Sequence, residues 1–265
     1  MLITLTKVQL KRATDHKRGN VQSFLDRLLI EVVSENYRYF LAQYLAFGIR
    51  PEDSPQTRCW PPLLSNERQV SGLFAIGLSR VSPISRPEHP VSRASKAMDD
   101  KEPDSVNRKG RVDFLAYYGN RDIALELKRF PISTLGNARW NAGLTSHWNT
   151  VSKQSKEALV HMRDQKDEYD SPVSIGLLVI RVGRKVTSRV EVDQARSMAI
   201  NALPSVADEV RKLTKADYLA YYLAPSEMQV SYGWGKNEHE YTVFPGVIFA
   251  AVVHESVKAA QYADA

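Results

Sequence analysis

Apolar residues recur along this chain with two periods, and the switch between them locates the elements. From residue 21 to 47, Phe24, Leu28, Val32, Tyr39 and Leu45 fall at roughly helical spacing, which predicts a long amphipathic helix stopped by Gly48 and Pro51. Residues 49–64, with Pro51, Pro55, Pro61 and Pro62, read as a linker or a wrapped loop. A second helix is predicted from Ser65, a suitable N-cap, with the stripe Val70, Leu73, Phe74, Leu78 and Val81. Pro83, Pro87 and Pro90 then punctuate the chain. Residues 92–110, with Asp99, Asp100, Lys101, Glu102 and Asp104 in close succession, read as a mobile loop.

At Arg111 the period shortens. Arg111 to Tyr118 and Arg121 to Lys128 read as two strands joined by the turn residues Gly119 and Asn120, the clearest hairpin in the chain. A helix is expected over 148–165, because Val151, Ser155, Ala158, Leu159 and Met162 share a face. After Pro172, the apolar run Ile175 to Val182 is that of a strand buried on both sides. Val192, Ala195, Ala199 and Leu203 give another helical stripe, interrupted by Pro204 and continued by Val206, Val210 and Leu213 after a kink or restart. Tyr218–Leu223 and Val243–Val253 read as late strands. These elements predict one main α/β domain with a mixed sheet over residues 65–265, preceded by a helical extension and linker over 1–64.

Composition changes this picture little: 265 residues, 43% hydrophobic and 25% charged, are ordinary for a globular chain with one sizeable core. No stretch approaches the roughly 18 uninterrupted apolar residues of a membrane span. The start, Met1 to Val8, lacks the order of a signal peptide, so a cytoplasmic protein without a membrane partner is expected. The single cysteine, Cys59, excludes an intramolecular disulfide and any multi-cysteine zinc cluster. The net charge of +6, with Lys7, Lys11, Arg12, Lys17 and Arg18 gathered early, favours a polyanionic partner through counterion release.

The hairpin carries the chemistry. With the turn centred on Gly119-Asn120, antiparallel pairing sets Tyr118 against Arg121 and Asp113 against Glu126. Directly opposed residues project to one side of a sheet with Cβ atoms about 5 Å apart, and two like charges there repel unless a cation lies between them. Period-two alternation also puts Glu126 and Lys128 on one face, with Ile123, Leu125 and Leu127 on the other. Two acids and an amine converge, a set suited to magnesium-assisted hydrolysis of a phosphodiester.

Gly110-Arg111-Val112-Asp113 followed by Glu126-Leu127-Lys128 resembles the D…ExK signature of the PD-(D/E)XK nuclease superfamily. The helix before it and the helix and strand after it fit that family's αβββαβ core, so the resemblance spans roughly residues 65–182. Val112 departs from the proline of the family name. The resemblance implies a restriction-endonuclease-like fold. It also implies that Asp113, Glu126 and the Leu127 carbonyl hold magnesium, with manganese as a substitute, and that Lys128 orients or activates the attacking water or stabilises the pentacovalent phosphate. Glu67, three residues before Val70 and seven before Phe74, is expected on the apolar face of its helix. An acid from the first core helix often acts on a water of the metal in that family, and Glu67 occupies that place; a first-turn acid favouring the helix dipole explains Glu67 equally. Glu88 sits where the family's first core strand would start, in a proline-rich stretch that also suits an ordinary turn. Gln154, with Lys153 beside it, stands where relatives set a polar residue against substrate, or on a solvated helix face. Trp140 and Trp148 flank a segment with Arg139, Asn141 and His147 that could grip a nucleic acid, or are packed.

Other chemistries fit worse. Gly233-Trp-Gly-Lys236 lacks the spacing of a phosphate-binding P-loop, no Gly-x-Ser-x-Gly elbow occurs, and the six histidines are scattered. The expectation is therefore a magnesium-dependent DNA endonuclease of restriction, repair, transposition or anti-phage defence, acting as a homodimer or within a larger system. Its first rival is a nucleic-acid-binding or assembly protein on the same fold that does not cleave. A second is a carboxylate-pair hydrolase of sugars, which needs no metal.

Overall fold

The computed structural model describes residues 10–12, 19–47, 61–64, 67–93, 108–133, 140–165, 168–186, 192–225, 228, 230–232 and 241–255. Their elements run β1 (Leu10–Arg12), α1 (Gly19–Phe47), a 3-10 turn (Pro62–Leu64), α2 (Glu67–Val81), β2 (Ile84–Arg93), β3 (Arg108–Tyr117), β4 (Asp122–Ser133), α3 (Trp140–Asp164), β5 (Val173–Val186), α4 (Val192–Thr214), β6 (Tyr218–Leu223), β7 (Val230–Tyr232) and β8 (Tyr241–Glu255). The fold is α/β. Its eight strands form one mixed sheet in the order β1-β6-β8-β5-β4-β3-β2, with β7 also pairing β8. β4 and β5 are parallel, with α3 as their crossover, and the other ladders are antiparallel.

Alternation in the two central strands distributes the core. Ile123, Leu125 and Leu127 of β4 and Val173, Ile175, Leu177 and Val179 of β5 join Phe24, Leu28, Val32, Phe74 and Leu78 in one cluster beneath α1 and α2. Phe130, Ile132, Leu178, Ile180 and Val182 point the other way, against Leu144, Trp148 and Val151 of α3 and Leu203, Ala207 and Val210 of α4. β5 is therefore buried on both faces, as its unbroken apolar run predicts.

The described part of the N-terminal region shares this core. α1 supplies residues of the first cluster, Tyr218 of β6 donates its hydroxyl to Asp26 at 2.8 Å, and β1 adds a strand beside β6. The 3-10 turn is fixed from both sides. Leu63 N–H donates to buried Asn36 Oδ1 at 2.9 Å, and Arg181 Nη1 donates to the Leu64 carbonyl at 2.7 Å.

Four expectations are revised. The prolines at 83, 87 and 90 do not exclude a strand, because β2 lies at the edge of the sheet, where missing N–H groups are tolerated. Residues 140–147 continue the helix expected from 148, since Leu144 extends its buried stripe by one turn. Trp140 and Trp148 thus sit in α3 and pack against the second cluster, rather than flanking a loop. Pro204 is accommodated inside one continuous α4. Among the described residues, no helix is long and apolar enough to cross a membrane. Ser65, Cys59, Arg139, Lys7, Lys17, Arg18, the Gly233–Lys236 stretch and most of the 49–64 and 92–110 segments lie outside the described residues.

Candidate active site

The hairpin turn forms as its residue types require. Gly119 and Asn120 both have positive φ, 57° and 59°, the pattern of a type I′ turn, and Tyr118 and Arg121 exchange backbone hydrogen bonds of 3.0 and 3.2 Å. The register follows: Tyr117 opposes Asp122, Ala116 opposes Ile123, Leu115 opposes Ala124 and Phe114 opposes Leu125. There the ladder stops, one step short of Asp113 and Glu126. β3 continues along β2 and β4 continues along β5, so the sheet forks at the two acids.

Asp113 accounts for the fork. Val112 packs with Ala124, Ala158 and Met162 under α3, whereas Phe114 packs in the cluster beneath α1 and α2, so side-chain alternation breaks at Asp113. Opposite it on β2, the pairing skips Glu88, whose φ of 50° is left-handed. The pairs Pro87–Phe114 and His89–Val112 keep one register, so no residue is inserted, and the change of side at Asp113 accompanies a left-handed backbone at the facing Glu88. Asp113 Oδ2 consequently accepts the Leu127 N–H at 2.7 Å, in the position where an unbroken ladder would bring Val112 opposite Leu127. The two acids are therefore not simple cross-strand partners: one lies against the backbone of the other's strand.

Because a residue in a strand presents its N–H and C=O to the same neighbour, the Leu127 carbonyl also faces the fork. Glu126 is 2% exposed and lies on the α3 side, with Gly176 as its register partner on β5. Lys128 shares that side by alternation, and its ammonium reaches Glu67 at 3.6 Å. Glu67 was expected on the inward face of its helix. It is instead the first residue of α2, at the mouth of the fork, with its side chain 55% exposed. The structure nonetheless brings Asp113, Glu126, Leu127, Lys128 and Glu67 to one place.

Gln154 stands on α3, the helix that covers the Glu126 side of the sheet. Its flank of α3 also carries His147, whose ring lies 4.9 Å from that of Phe130 in β4, and His161, whose charge acts on His89 of β2. Gln154 Oε1 is buried without a hydrogen-bond donor. The remaining residues are not gathered there. Lys153 projects from the outer face of α3 and pairs with Glu157 at 3.7 Å, beside an open groove lined by Ala142, Thr145, Ser146, Asn149 and Thr150. Trp140 is half-buried at the start of α3. Glu88 is exposed and holds Arg111 at 2.6 Å.

Two arginines were missed. Arg129 follows Lys128 and faces the opposite side of β4, toward α1 and α2; burial lowers its pKa while Glu67 opposes that shift. Arg181 has its pKa lowered to about 10, first by burial and then by the neighbouring charge of Arg129. Their signal was legible: each interrupts an inward apolar series, after Leu125 and Leu127 in one strand and after Leu177 and Val179 in the next.

Among the described residues, no group of three or more His, Cys, Asp or Glu side chains could hold a metal ion, so any cation at the fork would take two carboxylates together with backbone or solvent oxygen. Comparison of the chain with family models, with curated proteins and with solved structures returned no match, and the resemblance to PD-(D/E)XK nucleases rests on the fork residues and the order of elements around them.

Proposed function

We propose that the chain is a metal-dependent nuclease hydrolysing phosphodiester bonds of DNA, as an endonuclease, with its active centre in the fork and a core of the restriction-endonuclease-like kind. One observation carries the reading: two acids, a strand carbonyl and a lysine with its own acid partner meet where β3 and β4 part. The order α2-β2-β3-β4-α3-β5 supports it. So does the chemistry of the donors. All are hard oxygen atoms, which suit magnesium or manganese better than softer ions, and a carboxylate as buried as Glu126 gains from a divalent cation.

In this reading Asp113, Glu126 and the Leu127 carbonyl would hold the ion. Bound there, it supplies Lewis-acid stabilisation of the phosphate and a lowered pKa for the attacking water. Lys128 donates hydrogen bonds to the phosphate oxygens as charge accumulates on them and orients the water. Glu67 acts through Lys128, fixing the ammonium at the fork's mouth. Water adds to phosphorus, the bond to the leaving sugar oxygen breaks, and that oxygen departs with a proton. Gln154 contributes a buried carbonyl facing the same space. The positive net charge assists encounter with DNA.

The test is incubation of the wild type and Glu126→Ala with plasmid, linear and single-stranded DNA, in magnesium or in EDTA. Cleavage by the wild type in magnesium alone is expected, with nicked or linearised plasmid as the sign of internal cutting. Absence of cleavage by the wild type, with equal DNA binding and equal salt dependence in both proteins, would overturn the reading. That result would favour a non-cleaving nucleic-acid-binding or assembly protein, a reading to which one observation lends weight: Asp113 already accepts a backbone N–H.

A further inference from the structure

We infer that Arg129 and Arg181 form a binding site for a phosphate dianion on the α1–α2 side of the sheet, built from residues other than those of the fork's acids. Arg129 is paired in register with Val179 and Arg181 with Pro131, so the two arginines stand one diagonal step apart on adjacent parallel strands and face the same side. Every other described inward position of that series is apolar and buried, from Ile123 to Leu127 on β4 and from Val173 to Val179 on β5. Two cations side by side in such surroundings repel, and burial makes the repulsion stronger than it would be in water.

The protein's own groups compensate this only in part. Arg181 gives one N–H to the Leu64 carbonyl at 2.7 Å and lays its guanidinium over the Phe244 ring, 4.9 Å from its centre, both neutral partners. Arg129 Nε is buried with no acceptor among the described residues. Glu67 is the acid that acts on Arg129, and it is engaged by Lys128 at 3.6 Å. Among the described residues Glu67 is thus the acid shown to act on the arginine pair, and it divides its charge with Lys128, so the pair keeps an excess of positive charge. A phosphate monoester or inorganic phosphate offers oxygen atoms to the planar donor forks of both guanidinium groups, which a single carboxylate does less well. A phosphate at the end of a nucleic acid strand and free phosphate present the same chemistry.

The proposal is tested by calorimetric titration of the full chain with inorganic phosphate and with acetate at constant ionic strength. The proteins are the wild type, Arg129→Gln, Arg129→Lys and Glu126→Ala. The wild type should bind phosphate at least tenfold more tightly than acetate. Arg129→Gln should weaken phosphate binding tenfold or more while its unfolding midpoint without phosphate stays level or rises, since an uncompensated buried charge has been removed. Arg129→Lys should fall between the two, and Glu126→Ala should bind phosphate as the wild type does, which separates this site from the fork whether or not the fork cleaves DNA. Oligonucleotides with a 5′-phosphate and a 5′-hydroxyl then identify the source: tighter binding of the first assigns a strand end, and equal binding of both assigns free phosphate. The inference is overturned if the wild type does not bind phosphate, if acetate binds equally well, or if Arg129→Gln retains wild-type affinity.

Discussion

Replacing Gly176 by alanine tests how closely α3 is seated on the strand that carries Glu126's neighbour. A Cβ at this position would lie 2.8 Å from Ser155 Oγ, 2.9 Å from the Val151 carbonyl oxygen and 3.0 Å from Val252 Cγ1. The serine hydroxyl can rotate and the valine methyl can give slightly, but the carbonyl belongs to the backbone of α3, so the helix itself must lift. Overpacking of this kind costs about 1–3 kcal/mol. Alanine returns about 0.5–1 kcal/mol through the smaller conformational freedom of its unfolded chain. The net loss is then about 0–2.5 kcal/mol, or a fall in Tm of up to about 10 °C at roughly 2–4 °C per kcal/mol. Gly72, in the middle of α2 with nothing within 4 Å of its would-be Cβ, is the matched control: the same change there should stabilise by about 0.5–1 kcal/mol. Urea unfolding followed by circular dichroism, with midpoints compared at equal slope, reads both. If Gly176→Ala raises the midpoint as Gly72→Ala does, the close seating of α3 on β5 is refuted.

Two further predictions concern ionisable groups. In the cleavage assay, Lys128→Met should lower the rate by about 10²–10⁴-fold. Glu67→Gln, acting only through the lysine, should lower it by about 10–100-fold and cost nothing further in the Lys128→Met background, which a merely structural residue would not show. His89, bonded through Nε2 to the Tyr169 hydroxyl at 2.9 Å, has its pKa lowered from the ordinary 6.5, first by burial and then by Arg86 and His161, with Glu168 opposing. Its folded form therefore binds a proton less readily than the unfolded chain, and stability should be lost as pH falls through about 6.5 toward the folded value. His89→Gln removes this component, so its unfolding free energy should decline less between pH 7 and pH 5 than that of the wild type; equal declines would refute the assignment.

Where one local rule decides the outcome, the sequence was readable. The pair Gly119-Asn120 dictates a type I′ turn, and the turn in turn fixes the register from Tyr117–Asp122 to Phe114–Leu125. The run from Ile175 to Val182 has no polar side but one arginine, so it had to lie in the middle of the sheet. What lay beyond the sequence depends on several chain segments at once. Extrapolating the register predicts that Asp113 faces Glu126, but the break at Asp113 is tied to Glu88 on a third strand, whose left-handed φ no propensity foretells. Helical periodicity put Glu67 inward, yet the first residue of α2 stands at the margin of the sheet, where inward and outward lose their meaning. Arg129 and Arg181 are legible as interruptions of an apolar pattern, but their meeting on one side of the sheet depends on the parallel register of β4 and β5.

The edges of the sheet limit how copies of this chain can associate. A free strand offers its unpaired backbone groups to any other strand, and two molecules can join there into a continuous ribbon. β2, at one end, lacks two of its donors at Pro87 and Pro90 and has a left-handed residue between them at Glu88, while the described part of β1, at the other end, is three residues long. Two missing donors and one left-handed residue thus blunt the β2 edge, and that flank of the sheet makes a poor template for strand addition by a second copy.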